Sequence, residues 1–249
     1  MSLRRIYGLL SLDLSDTIRP PLLYFMVFVI TLLSVVLAYV QLFSTTESLA
    51  MSILRPTLLA TALFLALRGA SGISQLISNR VMEIYLSYPV SRLSIAIVLY
   101  ISRVVVPSIL LITIPLLAAG IVLEPLVVQE PSNYILMGVS FLVQALFYGS
   151  VFVLIALVAK STGTTSILSL LFYFSYNIIA LIFSSVSSSV TSTLFRLAQA
   201  MSFYMTVYNS LTTNIEALRP YFWEYLLVPS LTLLSALAFI LVLSRRFEP

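Results

Sequence analysis

The sequence predicts an all-helical integral membrane protein with six transmembrane helices. Of its 249 residues, 60% are hydrophobic and only 9% are charged, whereas soluble domains are about 45–50% apolar and about 25% charged. The apolar residues also form runs of the length, about 20 residues, that a helix needs to cross the hydrocarbon core. These runs take up most of the chain, so residues 1–249 are predicted to form a single membrane domain.

The predicted spans alternate in direction, and the charges between them predict their orientation. They cover residues 22–43, 51–76, 94–123, 133–159, 165–185 and 223–244. An even number of spans places both termini on one side. That side carries Arg4, Arg5, Arg19, Arg80, Arg92, Lys160, Arg245 and Arg246, against Arg55, Arg196 and Arg219 on the other. Because basic residues are enriched in cytoplasmic loops, both termini are predicted to be cytoplasmic in a multi-pass protein of the cell membrane.

Before the first span, an amphipathic helix is predicted to lie on the inner leaflet. Its apolar stripe consists of Leu3, Ile6, Tyr7, Leu10 and Leu14, with Arg4 and Arg5 between them. A helix of this pattern lies in the membrane interface. Arg19-Pro20-Pro21 then ends it, because the prolines remove backbone donors and disfavour helix at the preceding residue. Membrane anchoring and the gripping of a partner protein are equally compatible with this pattern.

A second short amphipathic helix is predicted on the cytoplasmic side, between spans two and three. Its face consists of Val81, Ile84, Tyr85 and Tyr88, and Arg80 can pair with Glu83. Pro89 ends the helix, and Ser91 offers an N-cap for the helix that begins at Arg92. An amphipathic helix held between two spans is typical of a docking element, although an ordinary helix-turn-helix connection has the same pattern.

Two arginines inside the apolar runs, Arg68 and Arg103, are predicted to lie near the inner boundary of the membrane. At the helical rise, Arg68 lies about 25 Å and Arg103 about 30 Å from the outer ends of their spans. We expect both side chains to extend to the interface, with binding to lipid headgroups or to a partner subunit as alternatives. Both helices are then expected to continue beyond the bilayer, through residues 69–80 and 93–102, and to hold the docking helix away from the membrane.

The long connection between spans five and six, residues 186–222, is predicted to lie on the outer side. After a Ser/Thr run, a helical apolar stripe consists of Leu194, Leu197, Ala198, Met201, Tyr204, Met205, Tyr208 and Leu211. Opposite it lie Arg196, Ser202, Thr206, Asn209 and Thr213. The pattern predicts one amphipathic helix that dips into the outer leaflet.

The residue inventory excludes most chemistry by this chain alone. It has no Cys and no His, which removes thiol nucleophiles, Ser-His-Asp triads and Cys/His zinc sites. No G-x-x-x-x-G-K-[ST] loop is present, so any nucleotide energy is expected to come from another polypeptide. This chain is expected to bind no cofactor and no metal. Gln144 and Asn177 are the polar residues in the middle of spans, and we favour hydrogen bonding between helices over a substrate pathway for them. The basic balance follows from topology and does not indicate nucleic acid.

Residues 83–92, Glu83-Ile84-Tyr85-Leu86-Ser87-Tyr88-Pro89-Val90-Ser91-Arg92, resemble the E-x-L-L-x-x-P-V-S-R signature of type-2 ATP-binding-cassette (ABC-2) permeases. That family has six spans, cytoplasmic termini, an N-terminal interfacial helix and re-entrant outer helices before span six, so the resemblance extends over almost the whole chain. It implies the membrane subunit of an exporter, in which two permease subunits, identical or different, form a dimeric pathway. Two copies of a separate ATPase would bind ATP and Mg beneath it. It also implies that Glu83, Pro89, Ser91 and Arg92 belong to a coupling helix. It favours an exit gate for the outer helix, which could also simply cover the bundle.

Two other functions remain open from the residues. A membrane scaffold or assembly factor would use the same cytoplasmic helix to recruit a soluble protein without transport. A secondary transporter is disfavoured, because ion-coupled pathways use intramembrane acids or histidines. The chain has no His, and all its acids are predicted to lie on the cytoplasmic side or at or beyond the outer face, where Glu224 begins the last span. The apolar spans would suit lipids, hydrophobic drugs or peptides, but they do not exclude glycans.

Overall fold

The computed structural model describes residues 3–18, 21–40, 46–79, 91–122, 124–159, 161–186, 192–212 and 220–246, and all the regular structure in these ranges is helical. Six of the helices are long and apolar enough to cross a membrane, which confirms the predicted number of spans. Each of the six overlaps its predicted range, and the ends differ by a few residues.

Ten helices follow one another along the described residues. They are α1 (Leu3–Ile18), α2 (Pro21–Val40), α3 (residues 46–78), α4 (Arg92–Val122), α5 (Glu124–Val127), α6 (Pro131–Val158), α7 (Thr162–Val186), α8 (Thr193–Met201), α9 (Phe203–Thr212) and α10 (Phe222–Arg246). The long apolar helices are α2, α3, α4, α6, α7 and α10. Their connections place successive long helices antiparallel, so α1 lies at one end of the bundle and the α8–α9 pair at the other.

Two of the long helices contain a π-helical segment at the same height. In α3 it covers Leu65–Ala70, and in α4 it covers Ile101–Val105. A π segment carries one extra residue in a turn, which locally redirects side chains and is frequent at functional sites. Beyond these segments α3 continues as α-helix to Ser78, and α4 begins at Arg92. Helix α3 therefore covers its predicted extension from residue 69 to Ser78, and α4 covers the whole of residues 93–102.

The centre of the bundle is α6, which packs against α3, α4, α7, α9 and α10. Its buried aromatic residues meet those of α7, for example where the rings of Tyr148 and Tyr173 lie edge to face with centroids 4.9 Å apart. Small residues let its other faces approach closely, since Gly138 and Gly149 lie against Leu116 and Val104 of α4. Close packing at glycines is how membrane helices associate when apolar surroundings provide no hydrophobic driving force.

The outward faces of the bundle are apolar. Large side chains such as Phe28 of α2, Leu171 of α7 and Leu233 of α10 are 60–66% exposed. An apolar surface of this extent is unfavourable in water and fits a hydrocarbon environment. The fold is therefore that of a multi-pass membrane protein.

The face through which α1 contacts the bundle differs from its predicted apolar stripe. Leu9 and Asp13 are buried, whereas Tyr7 is 73% exposed. At 100° per residue, the Leu9–Asp13 face lies about a quarter turn from the stripe formed by Leu10 and Leu14. The difference arises because Asp13 has an ionic partner inside the bundle. Leu10 and Leu14 of the apolar stripe are half-buried and lie beside that contact.

The prediction of one continuous helix over residues 194–211 is wrong. The backbone leaves helical geometry at Ser202 (φ −114°, ψ 88°), and α8 and α9 form two arms of a helical hairpin. The polar side of these arms faces the bundle, since Arg196, Ser202 and Thr206 are buried. The apolar stripe continues across the break, so the sequence pattern carried no signal of it.

Candidate functional site: a buried junction and a helical hairpin

A buried ion pair joins α1 to α4 at the end of the bundle where α1 lies. Arg103 donates from Nη2 to Asp13 Oδ1 at 2.7 Å and from Nε to Asp13 Oδ2 at 3.2 Å. Ser102 also donates its hydroxyl to the Asp13 carboxylate. Arg103 is 5% exposed and Asp13 is fully buried. A two-point guanidinium–carboxylate contact fixes both distance and orientation, so α1 is held to the π segment of α4 in one register.

Glycines let α3 and α6 pack closely against the part of α4 that contains Arg103. A Cβ on Gly69 would lie 2.7 Å from the backbone oxygen of Arg103, so α3 and α4 touch backbone to backbone there. A Cβ on Gly149 would lie 2.5 Å from Val104 and 3.2 Å from Leu65, both in π segments. We call the contact of α1, α3, α4 and α6 around Asp13, Arg103, Gly69 and Gly149 the junction. Its members are in close contact and have almost no space to slide past one another.

The last helix reaches the same end of the bundle. The rings of Tyr100 in α4 and Phe239 in α10 are 6.2 Å apart. The Tyr100 hydroxyl also lies 2.7 Å from that of Ser150 in α6. Helix α1 and the C-terminal part of α10 therefore lie at one end of the bundle, as the even number of spans predicts.

The two arginines of the apolar runs lie at a similar height but have different surroundings. Arg68 is exposed, as expected for a side chain that extends to the interface. The same expectation is wrong for Arg103, whose guanidinium is buried on Asp13. Counting residues from the outer end predicted the height of Arg103, but the partner lies 90 residues away in the sequence. Arg4 and Arg5 lie in α1, and their side chains are outside the described residues.

Most of the predicted docking helix lies outside the described residues, which stop at Asn79 and resume at Ser91. Glu83, Ile84, Tyr85, Tyr88 and Pro89 are in this gap. The predicted N-cap is confirmed, because the Ser91 hydroxyl accepts from the Ser94 N–H at 3.3 Å. Arg92 is half-buried in the first turn of α4. The gap is thus flanked by the two helices that carry the π segments of the junction.

At the other end of the bundle, the hairpin is fixed by a second buried ion pair. Arg196 of α8 donates to Glu224 of α10 at 3.2 Å, and its guanidinium carbon lies 4.2 Å from the ring centre of Tyr221. Arg196 is 5% exposed and Glu224 is fully buried. An isolated buried charge would be very costly, so the pair ties the first arm of the hairpin to the start of the last long helix.

The turn of the hairpin lies deep in the bundle and is held by side chains of α6 and α7. Gln144 Oε1 accepts from the Phe203 N–H at 3.0 Å, and the Tyr176 hydroxyl donates to the Met201 carbonyl at 2.7 Å. Gln144 lies 13 residues along α6 from Pro131, so it is about 20 Å along the helix axis from the first residue of α6. Non-helical backbone at membrane depth requires such partners. The hydrogen bond expected of Gln144 therefore exists, and it goes to the backbone at the turn of the hairpin.

Asn177 also makes the kind of hydrogen bond that the sequence indicates. Its amide donates to the Tyr173 carbonyl at 2.7 Å within α7 and accepts from the Tyr148 hydroxyl of α6 at 3.3 Å. Asn177 lines a cavity between the hairpin, α3 and α7 as well. Sequence reasoning missed Asp13, Gly69 and Glu224 as members of these sites, because their partners are distant in the chain and belong to no motif.

The two sites join different sets of helices. The junction joins α1, α3, α4 and α6 at one end of the bundle, and the hairpin is held by α6, α7 and α10 towards the other end. No family model matches the chain, and no curated protein sequence is significantly similar to it.

Proposed function

We propose that the chain is the permease subunit of an ATP-driven exporter of the type-2 ABC class. Two such subunits, identical or paralogous, would form the pathway, and two separate ATP-binding subunits would dock at the end that carries α1. The observation that carries this proposal is the junction. Both helices that flank residues 80–90 are locked there to α1 and α6 by the Asp13–Arg103 ion pair and the Gly69 and Gly149 contacts.

The coupling step in this proposal is mechanical. Closure of the ATPase dimer around ATP pushes the segment at residues 81–92, and α3 and α4 carry the push to the junction. Because the junction has almost no free space, the push rotates the whole permease subunit as a body and does not bend one helix. The two halves of the dimer then alternate between inward-facing and outward-facing states.

The residues proposed to contact the ATPase are Glu83, Ile84, Tyr85, Tyr88, Pro89, Ser91 and Arg92. Their order, an acid, an apolar face and a proline-ended turn, suits a short helix seated in a groove of another protein. Chemistry stays with the partner, which would bind ATP and Mg. This chain would supply the pathway and the movement.

Glu83→Lys tests the proposal. In a purified complex, we expect the substitution to leave ATP hydrolysis measurable but to lower substrate-stimulated hydrolysis and transport at least tenfold. The matched control is Glu124→Lys, which makes the same charge change at an exposed site at the opposite end of the bundle and should leave coupling intact. Coupled transport at the normal rate in the Glu83→Lys complex would overturn the assignment. Binding of a soluble partner without any stimulated hydrolysis would favour a scaffold.

A further inference from the structure

A cavity of about 200 Å³ lies between the hairpin, α3 and α7. Its walls include Arg55 of α3, Asn177 and Leu181 of α7, Phe195 and Gln199 of α8, and Asn209 of α9. The cavity belongs to one copy of the chain and lies away from the junction. Its volume is below the range of about 300–1,000 Å³ that encloses a whole drug-sized molecule, so it has the size of a headgroup.

A buried amide in the wall has no partner within the described part of the chain. Gln199 is 5% exposed, and neither its amide oxygen nor its amide nitrogen makes a hydrogen bond to the described residues. Burying a polar group without hydrogen bonds costs about 1–3 kcal/mol by mutational data. Native proteins seldom keep such a group without a reason. Both amide atoms are enclosed by protein, so a ligand in the cavity would satisfy them after a rotation of this side chain.

The wall also supplies a positive charge, the guanidinium of Arg55, which is exposed at the mouth of the cavity. The guanidinium of Arg55 has five donors, but its hydrogen bond to the described residues goes to the thioether sulfur of Met205, a weak acceptor, at 3.4 Å. Among the residues that the structure describes, none that lines the cavity carries a carboxylate. The residue is only five positions from Ala50, where the apolar stretch of α3 begins. The charge therefore favours an anionic group in the cavity.

Apolar side chains of α7 lie at and beside the cavity and are exposed on the outer surface of the bundle. Leu181 lines the cavity and is 66% exposed, and Ile178, one turn before it on α7, is 53% exposed. An apolar chain that leaves the cavity can lie along this face of α7. The site thus combines a polar, cationic end with an apolar exit.

We propose that this cavity binds the anionic headgroup of an amphiphile, with a carboxylate or phosphate on Arg55, hydrogen bonds to Gln199 and Asn209, and the apolar chain along α7. The site is a property of one chain. It holds whether or not the chain works with an ATPase, so its failure would leave the proposed function untouched.

Native mass spectrometry of the purified full chain in a neutral maltoside detergent tests the site. The probes are laurate, dodecyl phosphate, dodecanol and inorganic phosphate. We expect one molecule of laurate or dodecyl phosphate to be retained per chain, and at least tenfold weaker retention of dodecanol and inorganic phosphate. Equal retention of dodecanol would overturn the role of the anion. Equal retention of inorganic phosphate would overturn the role of the apolar chain and indicate a free anion.

Variants separate the site from general effects on folding. Arg55→Gln should weaken retention of dodecyl phosphate at least tenfold, while Arg245→Gln, at an exposed arginine of α10, should leave it unchanged. Gln199→Leu should also weaken retention and should not lower the melting temperature, since its amide stabilises nothing in the described structure. Normal retention in Arg55→Gln, or a lowered melting temperature with normal retention in Gln199→Leu, would contradict the proposal.

Discussion

Single charges inside an apolar bundle show where the chain cannot tolerate change. Asp13 and Arg103 are both buried, and each is the counter-charge of the other. Removing one partner of a buried pair leaves the other charge uncompensated, which lowers the free energy of unfolding by about 3–5 kcal/mol. The pair therefore specifies where α1 lies, in addition to any effect on total stability.

Asp13→Asn should lower the free energy of unfolding of the solubilised protein by about 3–5 kcal/mol, because Arg103 remains buried without a counter-charge. Denaturation by SDS, followed by circular dichroism, measures this loss. The matched control is Glu130→Gln, which removes an exposed acid at the opposite end and should leave the transition unchanged. Identical transitions for Asp13→Asn and the wild type would show that the ion pair does not hold α1.

For single residues, the sequence predicted the position of a side chain along its helix but not the residue with which it interacts. Arg68 and Arg103 were both expected near the inner boundary, and the segments that carry them lie at the same height in the bundle, with Gly69 of α3 against the backbone of Arg103. Its burial was not predictable, because the stripe of α1 pointed to Leu10 and Leu14 and gave Asp13 no role. Gln144 and Asn177 were expected to make hydrogen bonds, and both do. Ion pairing between distant residues depends on the packed fold, which single-sequence periodicity does not contain.

Helix packing decides how a displacement at one end would spread. The closest approach in the junction is backbone to backbone at Gly69, where the oxygen of Arg103 cannot rotate away from an added side chain. The neighbouring π segments also direct Arg103 and Val104 towards α1 and α6. The close spacing of α3 and α4 therefore requires that residue 69 is a glycine, without a Cβ atom.

Gly69→Ala should force α3 and α4 apart and lower the free energy of unfolding by about 1–3 kcal/mol, the usual cost of overpacking. The same denaturation experiment measures it. Gly163→Ala is the control, since nothing lies within 4 Å of a Cβ at that position in α7. Alanine there should be neutral or slightly stabilising. A neutral effect of Gly69→Ala would mean that the close approach is not real.

The hairpin can be probed by thiol labelling, because the chain has no native cysteine. Ser202 is 8% exposed at the turn, so Ser202→Cys should react slowly with a membrane-impermeant maleimide. Adding Gln144→Leu removes the acceptor of the Phe203 N–H and should raise the rate severalfold, as an unsatisfied buried donor costs about 1–3 kcal/mol. Ser210→Cys, on the exposed side of α9, should react quickly in both backgrounds. Equal rates at position 202 with and without Gln144 would contradict the hairpin.

Elements with strong periodicity were predictable, and breaks inside them were not. The six long helices follow from apolar runs between charges, and the start of α4 from Ser91. The turn at Ser202 and the two π segments interrupt patterns that continue in the sequence. They depend on tertiary partners such as Tyr176, Gln144 and Asp13.

At the scale of the whole molecule, the two ends of the bundle carry different structural features. One end carries α1, the junction and the helices that flank residues 80–90, and the other carries the hairpin and the cavity. The excess of basic residues at the first end predicts that it faces the cytoplasm. This orientation is what the proposed docking of an ATPase requires.

Single cysteines at two exposed serines test the orientation. Ser132→Cys, in the first turn of α6, should be labelled by an impermeant maleimide in intact cells. Ser91→Cys, at the start of α4, should be labelled only after permeabilisation. The reverse pattern would invert the topology, and labelling of both in intact cells would contradict six membrane-crossing helices.

The central claim, that this chain couples to a separate ATPase, is tested most directly by purification of the tagged protein from its native membrane. The protein would be extracted in mild detergent, its companions identified by mass spectrometry, and the eluate assayed for ATP hydrolysis. The account predicts a stoichiometric ATP-binding protein whose hydrolysis depends on this subunit. Recovery of the chain alone and without ATPase activity, under several gentle extraction conditions, would contradict it.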